Sequence, residues 1–164
     1  MEFEISTTRF GNITVDEEHT LHLPGGLIGI QDQRWVLITR EPESPFLWLQ
    51  SLENGDLALP VAQPEIFFRS YALQLAEEQL QEVGMVEGHE VEVLCIVKAR
   101  ENVTDFTINL RGPLIIDAES RQGAQVVNMA EYPVNADLWQ EIALGDVEFS
   151  HPELPIFHHQ RITE

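Results

Sequence analysis

The sequence contains one cysteine and one lysine, and it has no long apolar run. Cys95 has no partner for an internal disulfide, and its apolar neighbours in VEVLCIVKA predict a small, buried side chain. No apolar stretch approaches the roughly 20 residues that a membrane helix needs. The first ten residues lack the basic and apolar regions of a secretory signal. We therefore expect a cytoplasmic protein that does not associate with membranes.

Catalytic fingerprints are also missing from the sequence. There is no G-x-S-x-G, no phosphate-binding P-loop and no dinucleotide-binding motif. His151, His158 and His159 cluster near the C-terminus, but adjacent histidines in a strand point to opposite faces and no cysteine accompanies them, which argues against zinc. Pairs such as Glu17-Glu18 and Glu77-Glu78 are expected by chance in so acidic a chain. We expect no catalytic, cofactor or metal site, and a protein that is not an enzyme.

Basic residues are few. Nine of them face 28 acidic residues, which gives a formal net charge of −19. Such a surface repels nucleic acid within the Debye length, about 8 Å at physiological ionic strength. It attracts basic proteins and accelerates their association, although high charge also serves solubility alone. Direct binding of DNA or RNA is therefore not expected, and a basic protein partner is compatible with the charge.

What the sequence does contain is a series of short apolar segments separated by turn residues. At 164 residues it has the length of one domain. Phe3, Ile5 and Thr7 alternate with polar residues, and Asn54-Gly55 separates two apolar runs, which is a strong hairpin signal. Many short strands at near-regular spacing predict a mostly β fold, namely a small antiparallel β-barrel or closed β-sandwich with one or two short helices.

Helices are predicted at two places, with one additional helical turn. Strong helix formers and a terminal glycine favour Ala76–Val83, and Asn135 as N-cap favours Val134–Ala143. Pro64–Phe68 follows a proline and suits a single turn. We assign residues 1–143 to one barrel-like domain and residues 144–164 to a C-terminal tail that either docks on the body or binds a partner.

Three polar or aromatic side chains are expected to serve the framework. Trp48 lies among apolar neighbours, which favours core or half-core packing. Asn109 and Gln125 lie beside apolar strands, and we expect their amides to satisfy backbone groups, with partner contact as the alternative.

Three motifs carry a resemblance to a known family. They are LPGGLIGI at Leu23–Ile30 (the glycine-rich loop), PFLWLQSLENGDLALPVAQP at Pro45–Pro64, and NLRGPLIID at Asn109–Asp117. In this order they resemble FliW, the bacterial flagellar assembly factor family, over about Phe3 to Tyr132. The family patterns are roughly F-P-x-G-L-x-G-F-E, W-L-Q-S-L-E and N-L-x-A-P-I-x-I-N.

The departures from these patterns are conservative for packing. Ile28 and Ile30 stand where the family tends to have proline and an aromatic residue, and Gln31 replaces an acid. Gly112 and Asp117 replace a frequent alanine and asparagine. The loop Gly25–Gln31 is thus the place where partner contacts are expected to differ.

The resemblance implies a non-enzymatic regulator with two protein partners. FliW-like proteins bind CsrA, a small basic RNA-binding translational repressor, and relieve its repression of flagellin mRNA. They also bind flagellin, which competes as a partner. Two alternatives stay open at this stage: a small acidic β-barrel that binds a ligand or works as a carboxylate enzyme, and a general solubility or chaperone module.

Candidate partner-binding residues come from three places. The glycine-rich loop and the tail hold apolar residues outside the clear strand and helix patterns, where interaction sites are often found. Glu90 and Glu92 form the acidic face of a predicted strand. The residues are Gly26, Leu27, Ile28, Gly29, Ile30, Glu90, Glu92, Leu154, Ile156 and Phe157.

Overall fold

The computed structural model describes residues 1–40, 44–82, 88–141 and 160–161. In these ranges the chain is mostly β, with two short helices. The helices are α1 (Pro64–Phe67) and α2 (Glu77–Glu82). The strands are β1 (Glu2–Thr7), β2 (Gly11–Asp16), β3 (Thr20–His22), β4 (Arg34–Thr39), β5 (Leu47–Ser51), β6 (Ala58–Ala62), β7 (Val91–Lys98), β8 (Thr107–Ile108), β9 (Leu114–Asp117), β10 (Gly123–Gln125), β11 (Ala136–Asp137) and β12 (Gln160–Arg161).

The main sheet runs in the order β10-β9-β7-β6-β5-β4-β12, and β1 and β2 form a separate hairpin. All strand pairs are antiparallel except β12 with β4, which is parallel. The predicted Asn54-Gly55 turn does join β5 to β6. The prediction of a mostly antiparallel β fold with short helices is confirmed.

Closure of the sheet into a barrel is not confirmed. Among the described residues β10 pairs only with β9, so the sheet path ends there. One isolated parallel bridge joins His22, at the end of β3, to Gln122, just before β10. A single bridge holds the two edges close without extending the ladder between them. The sheet is therefore curved so that β3 and β10 approach each other, but it remains open between them.

Strand β4 explains how the layers stack. Five of its six residues are buried, because the strand is covered on both faces. Trp35 and Leu37 enter the main core, whereas Val36 and Ile38 face the cluster formed with the β1–β2 hairpin. A strand buried on both faces needs an uninterrupted apolar run, which is what WVLI supplies. The β1–β2 hairpin buries only the face that covers β4, so its strands need only apolar residues that alternate with polar ones.

One helix prediction is correct and one is wrong. Helix α2 lies within the predicted segment, whose last residue, Val83, is outside the described residues. Val134–Ala143 is not a helix over its described part: a turn leads into β11, where Ala136 pairs with Ile108. Ala136 and Leu138 are buried and Asp137 between them is exposed, so burial alternates with period two. Strand pairing overrides a weak helix propensity here.

The structure also locates the aromatic and sulfur side chains of the sequence analysis. Trp48 is half-buried, with the guanidinium carbon of Arg9 3.9 Å from its ring centroid, so the half-core expectation is confirmed. Cys95 is fully buried as predicted, and burial raises the pKa of its thiol to about 12. Across the part of the chain that is described, no helix has the length and apolarity to cross a bilayer.

Candidate functional site

The glycine-rich loop folds into a tight turn at Ile28 and Gly29. The backbone of Leu27 donates to the carbonyl of Ile30 at 2.7 Å, and Ile30 donates back at 3.0 Å. Gly29 has φ +84° and Gly26 has φ +65°, a region that favours glycine. A Cβ at Gly26 would lie 2.5 Å from the Ile30 carbonyl oxygen. Gly26 and Gly29 are therefore required by the shape of the loop.

This turn separates the apolar residues of the loop into core and surface. Leu27 is buried, and Ile30 is half-buried against the main core. Ile28, at the tip, is 69% exposed. The expectation of surface isoleucines therefore holds for Ile28 and not for Ile30, because the hydrogen-bonded turn directs Ile30 inward.

One amide side chain fixes the loop to the neighbouring Asn109–Gly112 corner, and a second stabilises that corner. The backbone N–H of Ile28 donates to Oε1 of Gln125 at 2.8 Å, and Nε2 of Gln125 donates to the carbonyl of Gly112 at 2.8 Å. Oδ1 of Asn109 accepts from the backbone of Arg111 at 3.1 Å and of Gly112 at 2.9 Å. The prediction that Asn109 and Gln125 satisfy backbone groups is confirmed. Gln125 also holds the backbone of Ile28 in a defined position.

A cavity of about 440 Å³ opens beside the loop tip; we call it the loop cavity. Its walls come from the loop, the end of β7, β8, the Asn109–Gly112 corner, the end of β10 and the turn before β11. The described residues that line it are Leu27, Ile28, Ile30, Ile96, Lys98, Thr107, Asn109, Arg111, Gly112, Gln125, Val127, Val134 and Asn135.

Exposed apolar side chains gather around this cavity. Ile28, Val127 and Val134 are 69%, 45% and 51% exposed, and all three line it. Single exposed apolar residues are ordinary, but several around one concavity mark an interaction site. The loop cavity is therefore the best candidate for a binding surface in the described part of the chain.

The charge of the loop cavity is opposite to that of the whole chain. None of the described residues that line it is acidic, although the chain has 28 acidic residues. Its charged lining residues are Lys98, the only lysine of the chain, and Arg111. The alternative of a catalytic pocket lined by two carboxylates gains no support from this cavity.

The two glutamates of the predicted acidic face lie in different environments. Glu90 is exposed just before β7, whereas Glu92 is 8% exposed on the core side of the strand. Nε2 of Gln63 donates to Oε2 of Glu92 at 3.2 Å. Glu92 is therefore not part of an exposed acidic face, because it shares the inward face of β7 with Leu94.

Glu92 carries a prediction on pH dependence. Burial raises the pKa of its carboxyl above the ordinary 4.5, and the charges of Glu65 and Glu90 add to this. The folded state thus holds the proton more tightly than the unfolded state. The resulting stabilisation is present below about pH 4.5 and is lost as the pH rises through the raised folded-state pKa. We expect Glu92→Gln to be more stable than the parent at pH 7 and to differ little from it at pH 4.

Urea denaturation at both pH values measures this difference. Glutamine keeps an acceptor for Gln63, so the hydrogen bond survives the change. Glu90→Gln, at an exposed neighbouring position, controls for the removal of one negative charge. A Glu92→Gln variant that is less stable than the parent at pH 7 would contradict the prediction.

The tail candidates Leu154, Ile156 and Phe157 lie outside the described residues. Of the tail, the structure describes only Gln160 and Arg161, which pair with Ile38 and Thr39 of β4.

Several cavity residues were missed by sequence reasoning. Lys98, Val127 and Val134 lie outside the three motifs, and Arg111 lies within the third one but was not singled out there. Only Lys98 gave a signal, as the sole lysine at the end of the longest apolar strand. The others become neighbours through the pairing of β7 with β8 and β9, and of β8 with β11.

The fold defines a class: a mostly antiparallel, open β sheet with a hairpin layered on one face and two short helices. A family model described as FliW protein matches residues 4–138. The chain belongs to the FliW family.

Individual relatives agree with this assignment. A flagellar assembly factor FliW from Geobacter sulfurreducens is 35% identical over 123 residues, which cover 75% of this chain and 77% of that protein. One from Leptospira interrogans is 37% identical over 133 residues, which cover 80% and 89%. A crystal structure of the flagellar assembly factor FliW superposes with a TM-score of 0.77 at 25% identity, covering 86% of this chain and all of that one.

Proposed function

We propose that this chain is a cytoplasmic flagellar assembly factor that acts by binding rather than by catalysis. It binds the translational repressor CsrA and relieves the repression of flagellin mRNA, and it binds flagellin as a competing partner. The family assignment supports the general role. The observation that carries the proposal is the gathering of exposed apolar residues around a cavity built by the family's own glycine-rich loop.

The contact surface of the proposal centres on the loop tip. Ile28 is its anchor, because its side chain is exposed while its backbone is fixed by Gln125. Rigid, exposed apolar side chains lose little entropy on binding and often dominate interface energetics. Gly26, Leu27, Gly29 and Ile30 shape the loop, and the tail residues Leu154, Ile156 and Phe157 remain proposed contacts.

Replacing Ile28 by aspartate is expected to weaken binding of CsrA, of flagellin or of both at least tenfold, about 1.4 kcal/mol. The charge is added at an exposed tip, so the fold is expected to persist. Isothermal titration calorimetry with each purified partner measures the loss, and circular dichroism checks folding.

Leu73→Asp is the matched control. Leu73 has an exposed side chain of the same size as that of Ile28, but it does not line the loop cavity. The proposal predicts parental affinity for this variant. Unchanged affinity of Ile28→Asp for both partners would place the interface elsewhere and defeat the assignment of the loop.

The net charge supports the first partner in particular. An acidic chain of −19 accelerates encounter with a basic RNA-binding protein and repels the RNA which that protein holds. We expect the association rate with CsrA to fall clearly between low and physiological salt, while the dissociation rate changes less. Stopped-flow measurements over a series of salt concentrations test this. An association rate independent of salt would refute electrostatic steering.

A further inference from the structure

The charged residues that line the loop cavity are basic, whereas the chain as a whole is strongly acidic. This difference in charge constrains which ligands the cavity can bind. Lys98 and Arg111 line a cavity with no acidic residue among its described walls, in a chain where acids outnumber bases three to one. A basic partner gains from the acidic surface in general but is repelled at this cavity. The local charge instead complements an anionic group.

The uncharged polar groups of the cavity offer donors as well. Oδ1 of Asn109 already accepts two backbone hydrogen bonds, so the amide can offer a ligand only its Nδ2 group, which is a donor. The hydroxyl of Thr107 has no hydrogen-bond partner among the described residues. Lysine and arginine side chains donate only. A carboxylate, which only accepts, matches this set.

The remaining walls are apolar and open to the surface. Leu27, Ile96, Val127 and Val134 supply aliphatic contact, and the exposure of Val127 and Val134 shows that the cavity is reached from outside. An apolar pocket with a few convergent polar groups selects a ligand that has both characters.

We propose that the loop cavity binds a peptide segment in which apolar side chains adjoin a carboxylate. This rests on the proposed function, in which the surface around Ile28 contacts a protein. The apolar side chains fill the space between the loop tip and Val134, and the carboxylate pairs with Lys98 and Arg111. The chain thus recognises partner segments of two opposite kinds: basic ones on its acidic surface and acidic, apolar ones in the loop cavity.

The test uses the full-length, ¹⁵N-labelled chain and three short peptides. They are acetyl-Leu-Leu-Glu-Leu-amide and the two peptides in which glutamine or lysine replaces the glutamate. Chemical-shift titration at low salt gives each dissociation constant and shows whether the amides lining the cavity respond. We expect the glutamate peptide to bind at least fivefold more tightly than the glutamine peptide, and the lysine peptide to bind most weakly.

The double variant Lys98→Gln with Arg111→Gln is expected to abolish the preference for glutamate, so that it binds the glutamate and glutamine peptides with equal affinity. Arg69→Gln, at an exposed arginine that does not line the cavity, is the matched control and should keep the preference. Equal affinities of the parent for the three peptides would overturn the proposal. So would shifts that lie outside the cavity.

Decanoate serves as a fourth probe, because a free fatty acid shares the same chemistry. Binding of decanoate more than tenfold tighter than the glutamate peptide would identify a small-molecule site and overturn the peptide assignment. None of these measurements uses CsrA or flagellin. Failure of the peptide selectivity is therefore distinguishable from failure of the proposed function, which calorimetry with those proteins detects.

Discussion

Replacing Trp35 by alanine is expected to lower the free energy of unfolding by about 3–5 kcal/mol, the usual cost of truncating a fully buried aromatic side chain. Trp35 is completely buried in the main core, on the strand that is covered on both faces. Its indole Nε1 donates to the carbonyl of Asp32 at 2.9 Å, and this bond is lost with the ring. Urea denaturation followed by circular dichroism measures the change.

Trp48→Ala provides the matched comparison. Trp48 lies on the neighbouring strand β5, but its ring is half-buried between Arg9 and Phe10 at the hairpin interface. Truncation there leaves a site that solvent can fill, so we expect a loss of about 1–2 kcal/mol. Equal losses for the two variants would mean that the hairpin layer is as tightly packed as the main core, contrary to the observed burial.

The second large effect is expected at Asp117, whose replacement by alanine should cost about 3–5 kcal/mol, because several donors lose their acceptor at roughly 1–3 kcal/mol each. Asp117 is fully buried at the end of β9. Its carboxylate lies 2.8 Å from Nδ1 of His89 and accepts from the backbone N–H groups of Glu119 and Ser120. Removing it leaves these donors without an acceptor in the interior.

Glu119→Gln tests whether the large loss of stability expected at Asp117 comes from the burial of that carboxylate. Oε2 of Glu119 is 2.8 Å from Nε2 of the same imidazole, but its side chain is 65% exposed. Exposed ion pairs contribute roughly 0–1 kcal/mol. Denaturant melts of both variants should therefore differ by several kcal/mol. A loss at Glu119 as large as at Asp117 would show that the histidine, rather than the buried turn, holds this corner together.

The strands of this fold are largely predictable because their burial is periodic in sequence. Alternation at Phe3 and Ile5 matches a hairpin with one covered face, and the continuous run in β4 matches a strand with two. The error at Val134–Ala143 has a local cause. Ala136 and Leu138 suit a helix face or a strand face equally well over so short a segment, and only pairing with β8 decides between them.

The loop cavity was only half predictable. The motif in the sequence identified the glycine-rich loop, and the prediction that Ile28 lies on the surface is correct. The sequence does not distinguish Ile28 from Ile30, since the two differ in burial only through the hydrogen-bonded turn between Leu27 and Ile30. Lys98 and Arg111 line the same cavity because β7, β8 and β9 bring distant segments together, a relation that no local pattern encodes.

The burial of Cys95 makes this chain a convenient background for fluorescence work. Its thiol is enclosed and its raised pKa of about 12 leaves almost no thiolate at neutral pH, so we expect maleimide dyes not to react with the native chain. A cysteine introduced by Val134→Cys would be the single reactive position, at the rim of the loop cavity. An environment-sensitive dye attached there would report occupancy of the cavity in real time, without removal of the natural cysteine.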